Sequence, residues 1–65
     1  MISETEISHA WKELGGDKAF LRPWGIVLFF GGKSVELEIE DYSLEWPIAD
    51  FSKRLLMPAL AALRS

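Results

Sequence analysis

The sequence predicts a small α+β domain with the element order helix–β-hairpin–helix (α-β-β-α), residues 1–65 forming one domain. Three features predict it. A capping box near the N-terminus precedes apolar residues at helical spacing. A Gly-Gly dipeptide separates an apolar run from an alternating apolar–acidic run. A proline-led segment rich in Leu and Ala closes the chain.

The first helix has the clearest start. Ser3 followed by Glu6 is a capping box, and Ile2 with Ile7 occupies the positions of a hydrophobic staple. Ile7, Ala10, Trp11 and Leu14 share one helical face, and Gly15-Gly16 ends the element at residue 14. Residues 17–23 carry too few apolar positions to show a period, and Pro23 pushes Arg22 toward an extended conformation. A loop or a short edge strand fits them equally.

Residues 24–30 and 34–40 read as a β-hairpin. Val35, Leu37 and Ile39 alternate with Glu36, Glu38 and Glu40. A two-residue turn at Gly31-Gly32 pairs Leu28 with Val35, Ile26 with Leu37 and Trp24 with Ile39, all apolar on one face. A three-residue turn sets Glu against Leu28 instead, so the pattern favours the two-residue turn or a four-residue loop of the same parity. The alternation changes phase at Glu40-Asp41, where a bulge or turn belongs. Pro47 suits the first turn of a last helix, and Pro58 predicts a kink or split within it. The expected core is Trp11, Trp24, Ile26, Leu28, Val35, Leu37, Ile39 and Phe51.

Composition narrows the function. A chain of 65 residues buries only ~60% of its unfolded surface and usually needs a disulfide, a metal or a second subunit. There is no Cys for a disulfide and one His, too few for a zinc site. The chain offers instead 49% hydrophobic residues and eight large aromatics. The absence of Cys, and an N-terminus without a basic region leading into an apolar stretch, set the expectation of a cytoplasmic protein. The longest apolar run covers only residues 26–30, so no membrane association is expected. Net charge is −3 with the basic residues scattered, which argues against direct nucleic-acid binding.

Candidate sites are few. Glu6, His9 and Glu13 share one side of the first helix, but that side lies opposite the apolar stripe, and the ligand count is too low for a metal. No catalytic residue, cofactor site or metal site is expected. The Glu36/Glu38/Glu40 row is a solvated strand face, an edge guard, or a row of charges resembling a nucleic-acid backbone. Val27 and Phe29 lie on that same face and are apolar, as in a contact site rimmed by charge, unless a helix covers them. The last helix is apolar around more of its circumference than one sheet can cover, and Leu56, Leu60 and Leu63 are its candidates for an exposed surface.

The expectation is therefore a non-catalytic domain that binds a larger protein, as an inhibitor or regulator, through Val27, Phe29, Glu36, Glu38, Glu40, Leu56, Leu60 and Leu63. In size and charge the chain is similar to the small inhibitors encoded by phages and mobile elements, such as anti-CRISPR proteins. The alternative is a subunit of a homodimer, larger homo-oligomer or virion. In predicted element order and length the chain resembles the head–tail joining proteins of tailed phages.

Overall fold

A computed structural model describes all residues, 1–65. Helix α1 spans Glu4–Glu13 and is capped as its sequence dictates. The Glu6 N–H donates to Ser3 Oγ at 3.3 Å, and the Ser3 N–H donates to the Glu6 carboxylate at 3.1 Å. Ile2 and Ile7 are both buried beside this cap. Gly15 follows with φ 107°, the left-handed conformation that releases a chain from a helix. The Gly16 N–H then donates to the Trp11 carbonyl at 2.9 Å. A Cβ at Gly16 would collide with the Trp11 indole, so only glycine lets the chain pass there.

Three strands follow, β1 (Ala19–Arg22), β2 (Gly25–Phe30) and β3 (Lys33–Glu38), in an antiparallel sheet of order β1-β2-β3. The expected hairpin is thus half of a meander, with β2 at its centre. The ambiguous segment before Pro23 takes the edge-strand form. The extra strand β1 precedes the hairpin, so the order is α-β-β-β-α. Gly31 and Gly32 have φ of 53° and 82°, as a type I′ turn demands. The register pairs Leu28 with Val35 and Ile26 with Leu37, as the alternation requires.

The third expected pair, Trp24 with Ile39, does not form. Arg22 pairs with Gly25, which leaves Pro23 and Trp24 as a tight turn between β1 and β2. Trp24 is consequently 46% exposed and is not a core residue.

Beyond β3 the chain makes a 3-10 turn at Asp41–Glu45, where the alternation changes phase. Helix α2 (Ile48–Phe51) starts behind Pro47, a wide π-type turn covers Ser52–Leu56, and helix α3 runs Met57–Arg64. Pro58 sits in the first turn of α3, directly after the wide turn. The backbone remains right-handed helical through Leu56 (φ −75°, ψ −43°) and Met57 (φ −64°, ψ −44°). Lys33 Nζ reaches from the hairpin to the Leu63 carbonyl at 3.2 Å, satisfying an acceptor that the end of a helix leaves open.

The helices cover one face of the sheet. Ile7, Trp11, Ile26, Leu28, Phe51 and Leu56 are fully enclosed between the two layers. Leu56, Leu60 and Leu63, expected on an exposed surface, are instead 0%, 6% and 7% exposed. With Ala59 they recur at i, i+3, i+4 and i+7, a single helical face that the sheet covers, while Met57, Ala61 and Ala62 remain exposed. Val35, Leu37 and Ile39 pack against that core but are only half-buried, at its margin.

Candidate functional site

Alternation along the three strands sends Ala19, Leu21, Ile26 and Leu28 inward. It sends Phe20, Val27, Phe29, Ser34, Glu36 and Glu38 to the opposite face. No element packs on this second face. Phe20 pairs with Val27, which pairs with Glu36, so one cross-strand row runs aromatic, aliphatic, acidic. The next row holds Arg22, Gly25 and Glu38. Phe20 and Phe29 meet edge to face, ring centroids 5.8 Å apart, and the Arg22 guanidinium lies 5.1 Å from the Phe20 centroid. Phe29 remains 36% exposed while Val27 at the centre is half-buried.

The result is an apolar centre with charge of opposite sign on its two sides. Lys18 and Arg22 flank it along β1, and Glu36 and Glu38 flank it along β3, all exposed. None of these four is ion-paired; the one ion pair in the protein joins the Met1 amino group to Glu45 at 3.8 Å. Trp24 stands at one end of the face. With Glu36 and Glu38 it lines a shallow depression of about 310 Å³. Gly25 keeps that end flat, because the Leu37 carbonyl lies where a Cβ would project.

The face gathers Val27, Phe29, Glu36 and Glu38 from the expected partner-binding set. Glu40 is exposed but lies past the end of β3, so the regular acidic row contains two glutamates on the strand and not three. Leu56, Leu60 and Leu63 belong to the core on the far side of the sheet. Lys18, Phe20, Arg22 and Trp24 were not expected here. Their signal was the alternation of residues 18–22, too short to separate from a loop by period alone.

His9 is exposed on α1, in an open groove of about 370 Å³ shared with Thr5, Ser8, Lys12 and Lys18. Glu4 also lines the groove, its carboxylate accepting the Leu21 N–H at 2.9 Å. No group of three His, Asp or Glu side chains converges. Every buried polar side-chain atom is hydrogen-bonded. No helix is long and apolar enough to cross a membrane. The chain matches no known protein family, no curated protein and no solved structure.

Proposed function

We propose that this is a non-catalytic protein-binding domain, an inhibitor or regulator that occupies a larger protein with the open face of its sheet. One observation carries the reading. The face presents Phe20, Val27, Phe29 and Trp24 between cationic and anionic margins, and nothing in the chain covers it. Apolar aromatic centres with polar rims are the usual anatomy of protein interfaces, and aromatic side chains dominate them energetically.

The test is affinity capture from the native host with the wild-type protein and Phe29→Asp as parallel baits, beside an absolute-mass measurement of each. A protein captured by the wild type and lost with Phe29→Asp, both baits being folded monomers, supports the proposal. Equal capture by Val27→Asp/Phe29→Asp overturns the surface assignment.

The polarity of the face favours a second reading, a homo-oligomer subunit. A two-fold axis lying along β2 would set the Lys18/Arg22 side of one copy over the Glu36/Glu38 side of the other. An axis across the strands would oppose like charges. A homodimer of this kind loses mass with Arg22→Glu and regains it when Glu38→Arg is added.

A further inference from the structure

The two edges of the sheet are finished differently. Neighbouring residues of an antiparallel strand alternate between the strands on either side. Phe30 and Lys33 close the two-residue turn as a bonded pair, so Val35 and Leu37 also bond β2. Ser34, Glu36 and Glu38 therefore point their N–H and C=O groups out of the sheet. No bond from another part of the chain reaches those groups. At the other edge, the outward Leu21 N–H is taken by Glu4 Oε2 at 2.9 Å, and α1 lies alongside.

Side chains on β3 sort by face. Glu36 and Glu38 are exposed and unpaired on the open face. Val35 and Leu37 are on the inner face and only half-buried, although Ile26 and Leu28 beside them are fully enclosed. Helix α3 reaches β3 but leaves Val35 and Leu37 half-buried, an apolar stripe at the margin of the core beside an open backbone edge.

We infer that β3 accepts an extended segment of a partner protein as a fourth strand, one that alternates Lys or Arg with apolar residues. The basic residues lie beside Glu36 and Glu38, and the apolar ones complete the cover over Val35 and Leu37. This rests on the protein-binding reading and specifies the partner's chemistry. Strand addition draws affinity from main-chain hydrogen bonds and selectivity from alternate side chains. A second copy is the wrong occupant. In the antiparallel register of β3 on β3 centred on Glu36, Glu36 faces Glu36 of the copy, and like charges directly opposite are destabilising; the register centred on Val35 sets Glu36 against Ser34 and gives it no cation. Within this chain, Lys18 and Arg22 flank Phe20 on one face, but they already belong to the β1 side of the sheet, whose edge is closed by Glu4.

The probe is a synthetic acetylated and amidated peptide alternating lysine and valine, titrated into isotope-labelled protein. The expected result is chemical-shift change confined to β3 and slowing of amide exchange at Ser34, Glu36 and Glu38 on the order of tenfold. Chemical synthesis of the chain with an N-methyl group on Glu36 removes an outward donor and leaves the bonds to β2 intact. That protein should lose the peptide. Glu36→Lys/Glu38→Lys should exchange preference for a glutamate–valine peptide, which keeps the test independent of how the N-methylated chain folds. Equal binding of a lysine–glycine peptide, undiminished binding by the N-methylated chain, or no binding overturns strand addition. A native partner lost with Phe29→Asp but kept by the N-methylated chain overturns strand addition and leaves the protein-binding reading standing.

Discussion

Trp11 ties helix α1 to the sheet and to the glycine pair that follows the helix. Its indole is fully buried, its Nε1–H donates to the Phe29 carbonyl at 2.8 Å, and Gly16 passes flat against its ring. The same Phe29 carbonyl accepts the Asp17 N–H at 2.9 Å, so the end of β2 is held from both helix and loop. Gly16→Ala is therefore expected to be more destabilising than an ordinary loop substitution, since a close-packed interior resists overpacking at ~1–3 kcal/mol. Leu28 is enclosed between the layers, and Leu28→Ala should cost ~2–5 kcal/mol in chemical denaturation. Leu37 is half-buried at the margin and should cost less. A Leu28→Ala cost within ~0.5 kcal/mol, the range of surface sites, would show that the register of β2 is wrong. At this scale the sequence was informative where periods were long: Ile26, Leu28 and Phe51 were legible as core. Trp24 was not, because a tryptophan beside an apolar run looks like part of that run until the Arg22–Gly25 pairing makes it a turn residue.

Each element begins or ends on a local device whose loss can be measured. Ser3 satisfies an N–H of the first turn of α1, and Ser3→Ala should lower stability by about 1 kcal/mol as a lost N-cap. Gly32 holds φ 82° in the turn between β2 and β3. Gly32→Val should cost at least ~1–2 kcal/mol, because a Cβ opposes left-handed backbone, whereas Gly31→Asn should be nearly neutral, Asn being a preferred residue of type I′ turns. Denaturation midpoints of the two variants, measured together, check the turn type directly. If Gly32→Val proves as mild as Gly31→Asn, the turn is not of this type. The capping box and the Gly-Gly turn were plain in the sequence because each depends on neighbours only a few residues apart. The short β1 depends on β2 for its hydrogen bonds and on α1 for the Glu4 carboxylate at its edge, and no local pattern states either.

As a whole the molecule has a radius of gyration of 10.5 Å, against about 10.7 Å from the scaling of compact domains with length. Two layers reach that density without disulfide or metal because α1 and the segment from α2 through α3 fill one face of the sheet with large side chains. The opposite face remains open, and its charges are divided between its two sides. Reversing Glu36, Glu38 and Glu40 together should mainly slow association with a partner, an effect that fades as salt rises toward screening lengths of ~3–8 Å. Phe29→Asp should act on dissociation, since it removes a central apolar contact. Binding kinetics measured at two salt concentrations separate these contributions.

The sequence by itself determined the α+β class, the start of α1, the Gly31-Gly32 turn with its register, and the apolar face of the hairpin. Each follows from spacing within one segment, where period and cap chemistry act locally. Only the tertiary structure decided how faces were assigned. Residues 19–22 became a strand because β2 offered a second edge, and this moved Phe20 and Arg22 onto the face with Val27 and Phe29. Leu56, Leu60 and Leu63 went inward because their shared helical face, with Ala59, is the one that packs on the sheet. Burial is a property of what lies opposite a residue, and in this chain the opposing surface comes from other elements of the fold.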